Sequence, residues 1–314
     1  MTLRIGYFPH NNSLWVLRHR GIVERSIPDV EWVDIRTLPP GPRPDVTAGL
    51  PTSHGDGLFD GSYDFIGTGF TPPITAQAHG HDIVYVGISG PRVENSRFVV
   101  REDSPITSLE ELRGKRIGIG HGSWQTTLAL FALDKVGLTW SDVTPVDLNG
   151  SDGAQLFLDG EIDAWTGSYP SLTRVEQQIG VRELIPTDGL FSHRSLWFTR
   201  RDFAVERADE LTVIVAALQE SDAWIRENPR EAAELFAADG GGDLDEWEYA
   251  LRHRPFGVLP VSEDFILEQQ RAADLLYANG LLPKQITVTD AVLPQLADVI
   301  PAVAEPPVAQ PAAA

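Results

Sequence analysis

The chain has 314 residues, 42% of them hydrophobic and 22% charged, with a formal net charge of −20 and no cysteine. That length supports two lobes with cores of their own. The acidic balance excludes a nucleic-acid partner and docking on an anionic membrane, both of which need clustered Lys and Arg, and the missing thiols exclude disulfides, thiolate nucleophiles and thiolate metal ligands. A small anionic ligand stays open, because a local field can oppose the global one.

No apolar run approaches the length of a membrane span. The start, Met1-Thr2-Leu3-Arg4-Ile5-Gly6-Tyr7, reads as the edge of a first strand with no charged region followed by an apolar run. The compartment is cytoplasmic if Met1 is the natural start, and periplasmic or extracellular if a signal has been removed.

Strand and helix signals alternate along the front of the chain. Leu3–Phe8 predicts a strand, Pro9–Asn12 a loop, and Ser13 a cap for a helix over about Leu14–Glu24. Val30–Ile35 is a second strand, Pro39–Pro44 a loop, and Phe65–Gly67 a short strand before the turn Gly67-Thr68-Gly69. Pro72 starts a helix across Ile74–Ala78, and Ile83–Ile88 is a further strand. Ser108-Leu109-Glu110-Glu111 has the pattern of a capping box. Strands follow at Arg116–Ile119, Thr144–Leu148, Asp163–Thr166 and Leu196–Thr199, with helices over Trp124–Val136, to Leu158 after Ser151 or Asp152, and over Leu172–Gln178. From Ala208 onward Leu211, Val215, Leu218 and Trp224 recur at helical spacing, and Glu246–Leu251 and Ile266–Ala278 read as further helices.

The alternation implies an α/β fold with largely parallel sheets. The expected organisation is a discontinuous first lobe, residues 1–95 and 200–300, a second lobe, residues 96–199, and a disordered Pro/Ala-rich tail, residues 301–314. In open α/β sheets ligands bind beyond the strand C-termini. That rule selects the loops Pro9–Ser13, Gly67–Thr71, Gly120–Gln125 and Gly167–Pro170, together with the turn before Trp197.

Several residues on these loops have anion-binding chemistry. Gly118-Ile119-Gly120-His121-Gly122-Ser123 lies between a strand and a helix, where glycines let backbone amides approach a ligand. Gly122 and Ser123 are therefore candidate contacts, with Trp124 as a pocket wall. His10 and Asn11 precede a helix, Gly67, Thr68, Gly69 and Thr71 form a similar turn, and Ser168 and Tyr169 follow a strand. Each turn also has a plain reading as helix capping or strand termination. His10, His54, His121 and His193 all fall on or near these loops. As imidazolium they could pair with an anion, and if the protein is an enzyme His10, His54 and His121 are the candidate bases. No His-x-x-x-His spacing supports a metal, and no cofactor is indicated. Arg97 and Arg194 are further candidates for holding an oxyanion.

The run Phe98-Val99-Val100-Arg101-Glu102-Asp103-Ser104-Pro105-Ile106, followed by Leu112-Arg113-Gly114-Lys115-Arg116-Ile117-Gly118, resembles the start of the second lobe in substrate-binding proteins of the sulfonate, taurine and nitrate importers. Leu133–Leu138 with Asp142-Val143, Leu158–Trp165, Gln269–Asp274 and Asn279–Lys284 are similar to later stretches of the same proteins, so the resemblance spans about Leu3 to Val292. It implies a two-lobed, type II periplasmic-binding-protein-like fold with a ligand cleft between the lobes. It also implies a small anionic ligand of sulfonate type, the permease of an ABC importer as partner, and a monomer. The same superfamily includes aromatic sulfinate desulfinases and thiamine-pyrimidine synthases, so an enzyme on this scaffold, a desulfinase-like lyase, hydrolase or decarboxylase, is the second expectation. The desulfinases carry a nucleophilic Cys in the first loop. His10 falls at about that place here, and a cysteine mechanism is excluded.

Overall fold

The computed structural model describes residues 1–9, 11–38, 49–52, 56–92, 96–149, 151–169, 171–240 and 243–300. Two five-stranded sheets organise the molecule. The first half of the chain begins with β1 (Leu3–Tyr7), α1 (Asn12–Arg20), β2 (Val30–Asp34), α2 (Asp56–Phe59), β3 (Phe65–Thr68), α3 (Thr71–Ala78) and β4 (Ile83–Ile88). It then crosses to β5 (Ser96–Arg101), β6 (Arg116–Ile119), α4 (Trp124–Asp134), β7 (Thr144–Asp147), α5 (Gly153–Leu158), β8 (Ala164–Ser168), α6 (Ser171–Glu176) and β9 (Val181–Ile185). The chain returns with β10 (Leu196–Arg200) and continues through α7 (Arg201–Glu206), α8 (Ala208–Glu227), α9 (Pro229–Gly240), α10 (Leu244–Arg252) and α11 (Glu263–Ala278).

The first sheet has the order β2-β1-β3-β10-β4 and the second β7-β6-β8-β5-β9. Both are mixed, which corrects the expectation of largely parallel sheets. β1 pairs in parallel with β2 and β3, but β10 runs antiparallel to β3 and β4. β6 pairs in parallel with β7 and β8, but β5 runs antiparallel to β8 and β9. In each sheet the antiparallel strand is the one that has just crossed from the other, so it enters from the opposite end. β10 is hydrogen-bonded in the first sheet from Leu196 onward, so the expected lobe boundary at 199/200 runs through a strand. The expected tail at residues 301–314 lies outside the described residues.

Local chemistry explains the elements that shape the cleft. β4 is buried along its whole length, as Ile-Val-Tyr-Val-Gly-Ile requires of a strand covered on both faces. Asn11 caps α1, its Oδ1 accepting from Leu14 N at 3.0 Å, two residues earlier than the Ser13 cap expected from the sequence. Ser123 caps α4 and Asp152 caps α5. Gly67 is obligatory because the Asn11 amide packs on it. A Cβ there would lie 2.2 Å from Asn11 Nδ2 and 2.9 Å from the Trp197 ring.

The main core is continuous across both lobes. Phe70 and Ile74 of the first lobe join Leu128 and Phe131 of α4, with Phe265 and Leu276 of α11, in one buried cluster. Burying each such side chain contributes roughly 1.5–3 kcal/mol. Thr71 Oγ1 adds a polar link across the joint, donating to Ser123 O at 2.7 Å and lying 2.7 Å from Thr127 Oγ1. Trp140 N donates to Asn279 Oδ1 at 2.8 Å on the far side. No described helix is long and apolar enough to cross a membrane.

Candidate functional site

A cavity of about 660 Å³ lies between the two sheets, at the end where β1, β3, β6, β7 and β8 terminate. This is where an open α/β sheet presents its loops, and the volume is in the range that encloses a small organic molecule. Trp15, Trp124, Trp165, Tyr169, Phe236 and Trp247 supply aromatic wall, and Asn12, Gln125 and Asn149 supply polar edges.

The cationic groups come from two segments that one backbone bridge holds together. Ile88 N donates to Leu259 O at 3.0 Å and Leu259 N to Ile88 O at 2.7 Å, an antiparallel pairing. Beyond that pair the two segments carry Arg92 and Arg254, and both line the cavity. The segments stay in contact past the bridge: a Cβ on Gly90 would lie 3.0 Å from Pro255. Arg92 is buried, with Nε donating to His193 O at 2.9 Å, and its own N–H donates to Ser192 O at 2.8 Å. Arg254 is half-buried and donates from Nη1 to Asn12 Oδ1.

Neither arginine has a carboxylate partner among the described residues. The other charged groups lining the cavity are neutralised locally. Arg36 pairs with Asp34 at 2.6 Å, and Asp152 pairs with Arg174. Desolvation, and then the neighbouring Arg254, push Arg92 well below the ordinary guanidinium range. Desolvation pushes Arg254 down to about 10. Among the described residues, the cleft of a strongly acidic chain thus presents two cations without a carboxylate partner, both destabilised by desolvation.

His193 serves this arrangement as a neutral group. Its backbone has φ 45, the left-handed region that costs a non-glycine residue about 1 kcal/mol or more. Its carbonyl accepts from Arg92, and its ring stacks on Trp124 at 4.0 Å with Nδ1 3.0 Å from Ser96 Oγ. Burial first, then Arg92 and Arg254, hold its pKa well below the usual imidazole range, so it is not the imidazolium the sequence allowed for.

The other expected residues divide clearly. Asn11, Thr68, Gly69, Ser123, Trp124, Ser168, Tyr169 and His193 line the cavity. Gly67, Thr71, Gly122 and His121 do not. Gly67 lies under Asn11, and Thr71 is spent on the joint between lobes. His121 is buried, its ring 6.4 Å from that of Trp140. His10 and His54 lie outside the described residues. The glycine turn is not the amide cradle expected from its sequence. Gly120 N donates to Gln125 Oε1, His121 N to Asp147 Oδ1, Gly122 N to Thr126 Oγ1 and Ser123 N to Gly120 O. All four amides are committed within the protein. Arg97 pairs with Glu176 at 3.2 Å and Arg194 donates to Ser89 O at 2.7 Å, both away from the cavity lining.

Sequence reasoning missed Arg92 and Arg254, which are 162 positions apart and sit in no recognisable motif. It also missed Trp165, Phe236 and Trp247 as cavity residues. No cluster of three or more His, Asp or Glu that could hold a metal occurs among the described residues.

A family model described as NMT1/THI5 like matches residues 58–232, more than half of the chain. A protein of Escherichia coli (strain K12), described provisionally as an aliphatic sulfonates-binding protein, is 31% identical over 290 residues, covering 91% of this chain and 87% of its own length. The crystal structure of the periplasmic aliphatic sulphonate binding protein SsuA from Escherichia coli superposes with a TM-score of 0.80 at 30% identity, covering 95% of this chain and 99% of that one. The alkanesulfonate-binding protein SsuA from Xanthomonas axonopodis pv. citri, solved bound to MOPS, gives 0.78 at 30% identity, covering 93% and 98%. The two-lobed architecture is therefore the periplasmic-binding-protein fold. Matched by the family model over more than half its length, and similar almost end to end to these relatives, the chain belongs to the NMT1/THI5-like family, alongside the aliphatic sulfonate-binding proteins.

Proposed function

We propose that this protein binds a small organic sulfonate in the cavity between its lobes and releases it unchanged, as the receptor of an ABC importer. The observation that carries the reading is the Arg92–Arg254 pair, two desolvated cations with no carboxylate partner among the described residues. A tetrahedral –SO₃⁻ group offers three acceptor oxygens to their donors, and charge-assisted hydrogen bonds of this kind contribute about 1.5–3 kcal/mol each. The aromatic wall suits the ligand's organic portion. The relatives' names point to the same ligand class, and MOPS is itself a sulfonate.

The lobes, residues 1–95 with 200–300 and residues 96–199, would close on the ligand about the crossings between β4 and β5 and between β9 and β10. A permease would read the closed form, and one copy of the chain would suffice for binding. Calorimetric titration against MOPS, methanesulfonate and matched carboxylates, with native mass spectrometry on the same samples, tests the proposal. One sulfonate bound per chain and recovered intact is the expected result. Conversion of the ligand to a product would replace the receptor with an enzyme.

A further inference from the structure

Arg254 is carried by a loop that has an unusual anchor. Three side chains on one face of α8, Gln219, Asp222 and Arg226, hydrogen-bond three successive backbone positions of that loop. The spacing of three and four residues aligns them on the helix. Gln219 Nε2 donates to Val258 O at 2.5 Å, and its Oε1 accepts from Val258 N at 3.2 Å. Asp222 Oδ2 accepts from Gly257 N at 2.9 Å. Arg226 Nη1 donates to Phe256 O at 2.7 Å. Gly257 sits at φ 132, a conformation that L side chains rarely adopt, with Arg226 Nη1 3.5 Å and Gln219 Oε1 3.7 Å from where a Cβ would be.

The rest of α8 buries apolar residues such as Leu211, Val215 and Leu218 in the first-lobe core. An amphipathic helix needs only such residues to pack. Here it also places an amide, a fully buried carboxyl and a guanidinium against one short strip of backbone. That strip lies between Arg254 and the Ile88–Leu259 bridge, so it is pinned from two sides just beyond the cation. Arg254 itself has one side-chain bond, to Asn12, and a buried Nε with no protein acceptor among the described residues. Its placement beside Arg92 therefore depends on the backbone beneath it.

We propose that Gln219, Asp222 and Arg226 form a positioning clamp that presents Arg254 at the cavity wall, making Asp222 and Gln219 affinity-determining residues that never touch the ligand. The consequence for ligand affinity rests on the sulfonate-binding reading above. The positioning of Arg254 does not, and it can be measured without ligand.

The test is the order parameter of the Arg254 side-chain Nε–H in the ligand-free full chain, by ¹⁵N relaxation, with Arg92 as internal control. Gln219→Ala and Asp222→Ala are expected to lower the Arg254 value from a rigid level of about 0.85 to below about 0.6, leaving Arg92 unchanged. Asp222→Asn, whose amide oxygen can still accept from Gly257, is expected to keep the wild-type value. If Asp222→Ala does not fold, Gln219→Ala alone decides. An unchanged Arg254 order parameter in a folded Gln219→Ala protein overturns the clamp.

The second arm is MOPS affinity by calorimetry. Gln219→Ala is expected to weaken MOPS binding about tenfold in the wild-type background and not at all in an Arg254→Leu background. Equal losses in both backgrounds would show a general structural effect and overturn the clamp. Wild-type protein that ignores MOPS and every other sulfonate would refute the ligand class, while the order parameters still decide the clamp.

Discussion

Replacing Asp222 with Asn should flatten one component of the protein's pH stability profile. Asp222 is fully buried in α8. Desolvation pushes its carboxyl up to about 7, offset in part by Ser13, the Gly257 amide and Arg226. An acid whose folded pKa is raised holds its proton more tightly when folded. Its contribution is therefore fully present below the unfolded value near 4 and is lost as the pH rises through about 7. Each decade is worth about 1.4 kcal/mol, so the whole interval amounts to at most roughly 4 kcal/mol and the part between pH 5 and 7 to roughly 3 kcal/mol. For a chain of this size that corresponds to a Tm change of about 6–12 °C. The assay is thermal unfolding of wild type and Asp222→Asn in matched buffers from pH 5 to pH 8. The difference, wild type minus variant, should fall steadily from pH 5 to about pH 7 and level off above it. Other titrating groups, including His19 and Glu183, cancel in the difference. A difference independent of pH would refute the assignment of a proton to buried Asp222.

Four further outcomes follow from the geometry. Arg92→Leu and Arg254→Leu should each weaken sulfonate binding by about 10–100-fold, since each removes a charge-assisted contact, with parallel titrations checking that the fold is intact. Gly67→Ala should destabilise the protein by about 1–3 kcal/mol in chemical denaturation, because the added carbon overlaps the Asn11 amide. Phe198→Ala, fully buried on the interior strand β10, should cost about 3–5 kcal/mol by the same assay. A sulfonate at a hundred times its Kd should raise Tm by about 5–10 °C through mass action alone, while a matched carboxylate at the same concentration should raise it less.

Much of the scaffold was legible because burial leaves a pattern in composition. Ile83–Ile88 and Arg116–Ile119 were delimited to the residue by their apolar runs. α9 was not delimited as a separate helix within the helical stretch that starts at Ala208, although Asn228-Pro229 marks its start. The antiparallel placement of β5 and β10 was not legible, since direction is set by which end of a sheet the crossing chain enters, and Ser96–Arg101 has the same alternation either way. The loops selected beyond the strand ends contribute residues to the cavity lining, but the bonding within them was not legible. The Gly120–Ser123 turn looked like an anion cradle, but its amides are consumed by Gln125, Asp147 and Thr126, partners that only the fold brings near. His193 was selected for its place on a cleft loop, and in the structure it lines the cavity and its carbonyl accepts from Arg92. Arg92 and Arg254 carried no local signal, because what distinguishes them is the lack of a carboxylate partner among the described residues and a shared place on the cavity wall that only the fold provides.

The central claim is that the two arginines bind a sulfonate that leaves unaltered. It is tested most directly by calorimetric titration of the full chain with MOPS and methanesulfonate, the ligand then being recovered and weighed by mass spectrometry. One-to-one binding of intact sulfonate is expected, abolished in an Arg92→Leu/Arg254→Leu protein that still unfolds cooperatively. Sulfonate binding that survives the double substitution, or recovery of a chemically altered ligand, would contradict it.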